Sequence, residues 1–194
     1  MKMTAKAVKR GAAVLVLAAV FAAAWYHFSY PIELNMATLP EEIAAFLNRE
    51  SEDWDPSEIK VYDGVALGNR EYYLMEMGEH LGSATLRRSL TGRYRIEYLR
   101  YGGGGFRDAI VESGGRKYLL LGGRDPAARI ARITAAIDGR SYELENPNPG
   151  HHFLLCTEID RRTEDSHVDL DKVRFFDADG KDITGLYGLS GGGL

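Results

Sequence analysis

Carboxylates, imidazoles and hydroxyls able to do chemistry fall in a few short tracts, and their spacing decides what each could do. Asp177-Ala178-Asp179-Gly180-Lys181-Asp182 sets three carboxylates around a glycine turn, the raw material of a calcium loop. An EF-hand loop needs the alternating pattern Asp-x-Asp-x-Asp-Gly, a bidentate Glu about six residues after the glycine, and helices on both sides. One acidic position is missing, no Glu follows, and the flanks read as strands. Asp177, Asp179 and Asp182 are therefore weak metal candidates within an Asp-Gly hairpin, with Asp169 and Asp171 the nearest further acids. His151-His152, His167 and the acids Glu158, Asp160, Glu164 and Asp165 have the types that ligate zinc. Neighbouring histidines in a strand point to opposite faces, however, and do not readily chelate one ion.

Tyr101-Gly102-Gly103-Gly104-Gly105-Phe106 has glycines enough for a phosphate cradle. It lacks both the Gly-Lys-Ser/Thr that opens a helix and the strand–turn–helix unit of a dinucleotide site, so it reads as a hairpin tip or bulge. Nucleophilic catalysis finds no Gly-x-Ser-x-Gly elbow, and Ser190 stands in a glycine-rich tail that cannot preorganise an oxyanion hole. The single cysteine, Cys156, sits in the apolar run Phe153-Leu154-Leu155-Cys156 and reads as a core thiol. It also rules out an intramolecular disulfide, so stability must come from packing. No catalytic residue, cofactor-binding residue or cofactor is assigned. Tyrosines spread from Tyr62 to Tyr187 could furnish a binding face, or serve as strand residues with a buried ring and a wet hydroxyl.

The elements that must position these groups are mostly short strands. Gly68-Asn69, Thr91-Gly92, Gly114-Gly115, Asp138-Gly139 and Asp179-Gly180 separate strand-length runs, the punctuation of hairpins. The fold class expected is mainly β: an antiparallel meander over 59–187, closed into a barrel-like sheet or a sandwich, with a seam near 122–126 if there are two units. Residues 126–137 carry apolar side chains at helical spacing, yet the closing Asp138-Gly139 turn favours a strand. Before the sheet, residues 33–58 read as a short amphipathic helix and linker. Thr38 and Glu41 have capping-box spacing, Pro40 lies in the first turn, and Ile43, Phe46 and Leu47 share a face. Residues 188–194 read as a disordered tail.

Location is written at the start of the chain. Lys2, Lys6, Lys9 and Arg10 precede an uncharged run over 11–32 that ends in Trp25, Tyr26, Phe28 and Tyr30. At about 1.5 Å per residue that run reaches roughly 33 Å, enough to cross a hydrocarbon core of about 30 Å. Lys9, Arg10, Trp25, Tyr26 and Tyr30 are the expected anchor residues, basic on the cytoplasmic side and aromatic at the far interface. Residues 1–10 then form a cytoplasmic basic tail, 11–32 a single transmembrane helix or uncleaved signal, and the remainder lies outside the cell membrane. The alternative is a cleaved secretory signal, with Ala22-Ala23-Ala24 as the small-residue site and a secreted product. Four of the 24 basic residues lie in this flank, leaving 20 against 28 acids, about −8 for the exported part. That balance excludes nucleic acid as a partner, since phosphates require a basic surface.

Lys117-Tyr118-Leu119-Leu120-Leu121-Gly122-Gly123, the Asp138-Gly139-Arg140 turn and the closing run Phe175 to Ile183 resemble small single-pass membrane proteins of Gram-positive bacteria with uncharacterised β-rich extracytoplasmic domains. The resemblance covers residues 59 to 184 and implies no catalytic residues. The function expected is a membrane-anchored, non-enzymatic binding or envelope-associated module. The bilayer is its partner through the N-terminal helix, and a protein partner in the envelope would carry any signal. A hydrolase acting on envelope material is the alternative.

Overall fold

A computed structural model describes residues 5–50, 53–187 and 191–193. Within them lie two α-helices, α1 (Ala5–Phe28) and α2 (Leu39–Leu47). Strands β1 (Ile59–Leu67), β2 (Arg70–Met77), β3 (His80–Arg88) and β4 (Tyr94–Gly102) form a first sheet as an antiparallel meander. β5 (Phe106–Ser113) and β6 (Arg116–Arg124) begin a second sheet. β7 (Arg132–Ile137) and β8 (Arg140–Glu145) leave it as a hairpin, and β9 (His152–Ile159) returns to pair with β6. β10 (Arg174–Phe176) joins β7 to make a third sheet, while β11 (Gly191–Gly193) lies parallel to β5 at the edge of the second.

The molecule is thus mainly β and largely antiparallel, as expected. Of the two forms expected for the meander, a barrel-like sheet or a sandwich, the closed barrel does not form and the strands divide among three sheets. The reason is visible in β6. Leu119, Leu120 and Leu121 are all buried to within 1% of full enclosure. Successive strand residues face opposite ways, so an unbroken apolar run needs cover on both sides. Leu119 and Leu121 join Phe106, Phe153 and Ile159 against Ile133, Ala135, Leu144 and Phe175 of the third sheet. Leu120 faces the first sheet, where Leu74 and Leu81 are equally buried. Closing a barrel would leave one of these faces wet. Each fully buried leucine contributes about 1.5–3 kcal/mol, so two covering sheets win.

The outer face of the first sheet is covered by α2. Leu39, Ile43, Ala44 and Leu47 pack on Tyr73, Met75, Met77, Ala84 and Leu86, with Phe46 partly buried beside them. The capping box expected from Thr38 and Glu41 is absent. Thr38 is already in a helical conformation and its hydroxyl donates to the Asn35 carbonyl, while Asn35 Oδ1 accepts the Ala37 N–H. The helix still begins at Leu39, but a turn at Asn35 leads into it in place of a Thr38 side-chain cap.

Gly102–Gly105 carries the chain from the first sheet to the second, and Arg107 fixes it. This guanidinium, 2% exposed, donates to the carbonyls of Leu81, Gly102 and Gly103 from Nη2 and to Phe106 from Nη1. Residues 126–131 form a loop held by buried Asp125, whose carboxylate accepts the Ile130 N–H at 2.7 Å, and the strand begins only at Arg132. In the expected disordered tail, 191–193 is strand β11, and 188–190 and 194 lie outside the described residues.

The run 11–32 is also divided. α1 stops at Phe28, and Tyr30 and Ile32 are built into the β domain at 8% and 4% exposure. Ile32 and Tyr94 exchange backbone hydrogen bonds of 3.0 and 2.8 Å. Arg93 Nε donates to the Tyr30 carbonyl, Nη2 to that of Pro31, and Nη1 to Glu33. Among the described residues no helix is long and apolar enough to cross a membrane.

Where a ring lies across the neighbouring strand, glycine is a packing requirement. A Cβ on Gly123 would lie 2.7 Å from the Phe153 ring and 2.9 Å from the Gly105 carbonyl, whereas one on Gly103 would meet nothing within 4 Å. Gly123→Ala is expected to destabilise the fold by about 1–3 kcal/mol through overpacking, with Gly103→Ala close to neutral; denaturant unfolding of both variants checks the contrast.

Candidate functional site

The strand period sorts the polar residues of the first sheet onto the side that faces the second. On β2, Glu71, Tyr73, Met75 and Met77 turn toward α2, leaving Arg70, Tyr72, Leu74 and Glu76 to face β6 and β9. Ser83 and Thr85 of β3 and Tyr98 and Arg100 of β4 line the same side. The two sheets touch through Leu74, Leu120 and Leu154 and part on either side of that contact. One opening is a cleft of about 260 Å³ lined by Arg70, Tyr72, Ser83, Thr85, Tyr98 and Arg100 from the first sheet, over Val111, Leu120 and Leu154 of the second.

At the rim of this cleft stands Glu97, its side chain 9% exposed. It accepts Arg70 Nε at 2.6 Å and Arg87 Nη1 at 3.0 Å, with Arg95 at 3.8 Å. Burial alone would raise the Glu97 carboxyl, but the hydrogen bonds from Arg70 and Arg87 outweigh it and hold it below its ordinary value. Tyr72 is pushed up chiefly by burial, partly countered by Arg70. Burial also raises the Cys156 thiol, which suppresses the reactive thiolate.

Beyond the contact, β1 and the loop before β9 frame a larger cavity of about 600 Å³ lined by Val61, Tyr62, Asn146, Asn148, His151 and His152. At its wall, Glu76 Oε2 accepts the Tyr62 hydroxyl at 2.6 Å, while Oε1 meets Arg124 Nε and, at 3.1 Å, His152 Nε2. The His152 and Tyr62 rings are stacked with centroids 3.7 Å apart. Burial works to raise the Glu76 carboxyl, yet the bonds from Tyr62, Arg124 and His152 prevail and lower it to about 2. The same geometry raises Tyr62, first by burial and then by its bond to Glu76. Glu76 is thus a fixed anion with its acceptor sites occupied, suited to organising neighbours and unsuited to giving up a proton.

The residues expected from sequence lie elsewhere and apart. Asp177 accepts Arg129 at 2.9 Å and the Asp179 and Lys181 N–H groups, and Asp182 accepts the Thr184 N–H, so the three acids shape a hairpin turn. Among the described residues no group of three or more His, Cys, Asp or Glu side chains is arranged to hold a metal. His151 meets the Pro126 carbonyl, His152 meets Glu76, and His167 meets Asp108. Trp25 is 78% exposed, the Tyr26 hydroxyl accepts the Leu90 N–H, and Tyr30 is buried beneath Arg95. Lys9 and Arg10 lie within α1, and Ser190 falls outside the described residues.

Sequence reasoning passed over the Glu76 and Glu97 clusters. The signal available was a charge at an internal strand position: Glu76 between Met75 and Met77, and Glu97 between Ile96 and Tyr98. Comparison with protein-family models, with curated proteins and with solved structures gives no match.

The Glu76 cluster makes stability depend on pH with a definite sign. Its carboxyl ordinarily titrates at 4.5 and is lowered to about 2, so the folded state favours the ionised form. The stabilisation is full above about pH 5 and is lost as pH falls from 4.5 toward 2. Glu76→Gln should flatten this part of the stability profile, and Glu76→Ala should cost about 1–3 kcal/mol at pH 7 by stranding its donors; denaturant midpoints across pH give both.

Proposed function

We propose that this chain is a membrane-tethered, extracytoplasmic β domain that acts by binding. The surface of α1 carries the reading. Val14, Leu15, Val16, Leu17, Val20, Phe21, Trp25 and Phe28 are 58% to 79% exposed. Four of these are consecutive, so they point to every side of the helix and no single face can bury them on the domain. A helix apolar all round needs an apolar surrounding, and a bilayer supplies it. With Tyr30 and Ile32 taken into the domain, the proposed tether is the uncharged run 11–28; the described helix by itself does not reach the length and hydropathy of a full crossing. The basic flank before it favours a cytoplasmic N-terminus. Leu90, 96% exposed on the β3–β4 turn and joined to Tyr26 by its N–H, adds an apolar tip at the depth of the interface.

Binding is favoured over catalysis by what the cavities hold. The cleft between the sheets offers cations, tyrosines and an apolar floor, the furnishing of a recognition site. One observation favours a second reading, a hydrolase of envelope material: a carboxylate–histidine pair at the wall of the larger cavity. Glu76 is already shared with Tyr62 and Arg124, and among the described residues no Ser, Thr or Cys hydroxyl or thiol bonds to His152. A general base with no nucleophile to activate makes a weak enzyme.

Cell fractionation with intact-mass measurement tests the tether. The expected result is the full-length chain in carbonate-washed membranes. A shortened species beginning near Trp25 and recovered from the medium overturns it in favour of a secreted domain.

A further inference from the structure

We propose that the cleft between the first and second sheets is a binding site for a small organic anion with an apolar body. It rests on the binding reading above and adds the chemical class of the ligand.

Charge is the first argument. Arg70, Arg87, Arg95 and Arg100 stand on or beside this face of the first sheet, and Glu97 is the one carboxylate their ion pairs share. Three of the four are drawn to Glu97. Arg100, exposed on β4, lines the cleft, and among the described residues its guanidinium makes no hydrogen bond or ion pair. Glu112 lines the opposite rim and is exposed, so it offsets one charge and leaves the site cationic. An isolated guanidinium beside a dry floor is a natural carboxylate receptor, since its planar fork of donors gains most where water is scarce.

Shape is the second. Val111, Leu120 and Leu154 form an apolar floor, with Leu120 1% exposed. Tyr98, 61% exposed, stands at the mouth as an unused ring face, and Ser83 and Thr85 add hydroxyls along the wall. At about 260 Å³ the cleft is smaller than the usual range for drug-sized ligands, roughly 300–1,000 Å³. It suits a single ring or short chain ending in a carboxylate. A peptide backbone would need an open groove or a free strand edge, and the cleft has a sheet on either side.

Cys156 supplies a built-in reporter. It is the only cysteine in the chain and is half-buried. Its partner across β6 and β9 is Leu120, so the two side chains lie on the same face of the second sheet, next to the floor of the cleft. A ligand seated on Leu120 and Leu154 covers the path to this thiol.

The full chain in phosphatidylcholine nanodiscs is treated with N-ethylmaleimide at pH 8, with intact mass as the readout. 4-Phenylbutanoate and its uncharged amide serve as probes of equal shape. The carboxylate should slow alkylation at least about fivefold at saturation and protect at about tenfold lower concentration than the amide. Arg100→Gln should bring the two probes to the same midpoint, and Ala109→Trp, which fills the cleft, should abolish protection by both. Equal protection of the unaltered chain by both probes overturns the anionic class and leaves the cleft as a neutral apolar site. Protection by neither overturns the cleft as a site for this ligand class, while the tethered binding reading stands or falls separately on the fractionation result. A preference that survives Arg100→Gln overturns the role of that guanidinium.

Discussion

Everything in this fold follows from a strand that cannot be allowed to meet water on either side. β6 presents leucine in both directions at three successive positions, and the chain answers by laying a sheet against each face. The third sheet is made by sending β7 and β8 out as a hairpin before β9 comes back to β6, so the covering layer and the covered strand are close in sequence. The first sheet arrives from the other direction and is itself double-faced, which is why α2 is needed on its far side. The result is a stack of α2 and three sheets, in which each layer exists because the one beneath it would otherwise be exposed.

Stacking sheets this way forces charged side chains into half-dry positions, and the chain deals with them in two manners. Where a guanidinium is fully enclosed, as at Arg107, backbone carbonyls from three strand ends and the glycine loop surround it, which both satisfies its donors and fixes the crossing from the first sheet to the second. Where carboxylates are half-enclosed, as at Glu76 and Glu97, arginines from neighbouring strands converge on them. Both arrangements keep ionised groups ionised at the seams. Arg100 follows neither pattern, and that exception makes the cleft more than a packing gap.

Much of the local structure was legible in the residues. Gly68-Asn69, Gly114-Gly115 and Asp138-Gly139 mark hairpins because a two-residue turn needs positive φ, and Gly68, Gly114, Gly115, Asp138 and Gly139 all have it. The failures came where the answer was not local. The choice between one closed sheet and three stacked ones depends on which hairpin pairs with which, and Asp138-Gly139 looks the same in either. The three consecutive leucines did hold that information, as a run with no polar face. Thr38 and Glu41 had the spacing of a cap, but the Thr38 hydroxyl donates to the Asn35 carbonyl instead of accepting the Glu41 N–H. Tyr30 looked like the last ring of an interfacial belt, and only the distant Arg93 and Arg95 show that it belongs to the domain. The two glutamate clusters each draw on residues from three or more separate strands, a convergence no window of sequence displays.

The join between α1 and the first sheet has a mechanical meaning. Ile32 extends the pairing of β4 by one bridge, and Arg93 ties Tyr30, Pro31 and Glu33 to the same strand. A load on the helix therefore enters the sheet at the start of β4, through one bridge and the side chain of a single arginine. The connection between helix and domain is thus a short, hydrogen-bonded joint that shortens the lever between them.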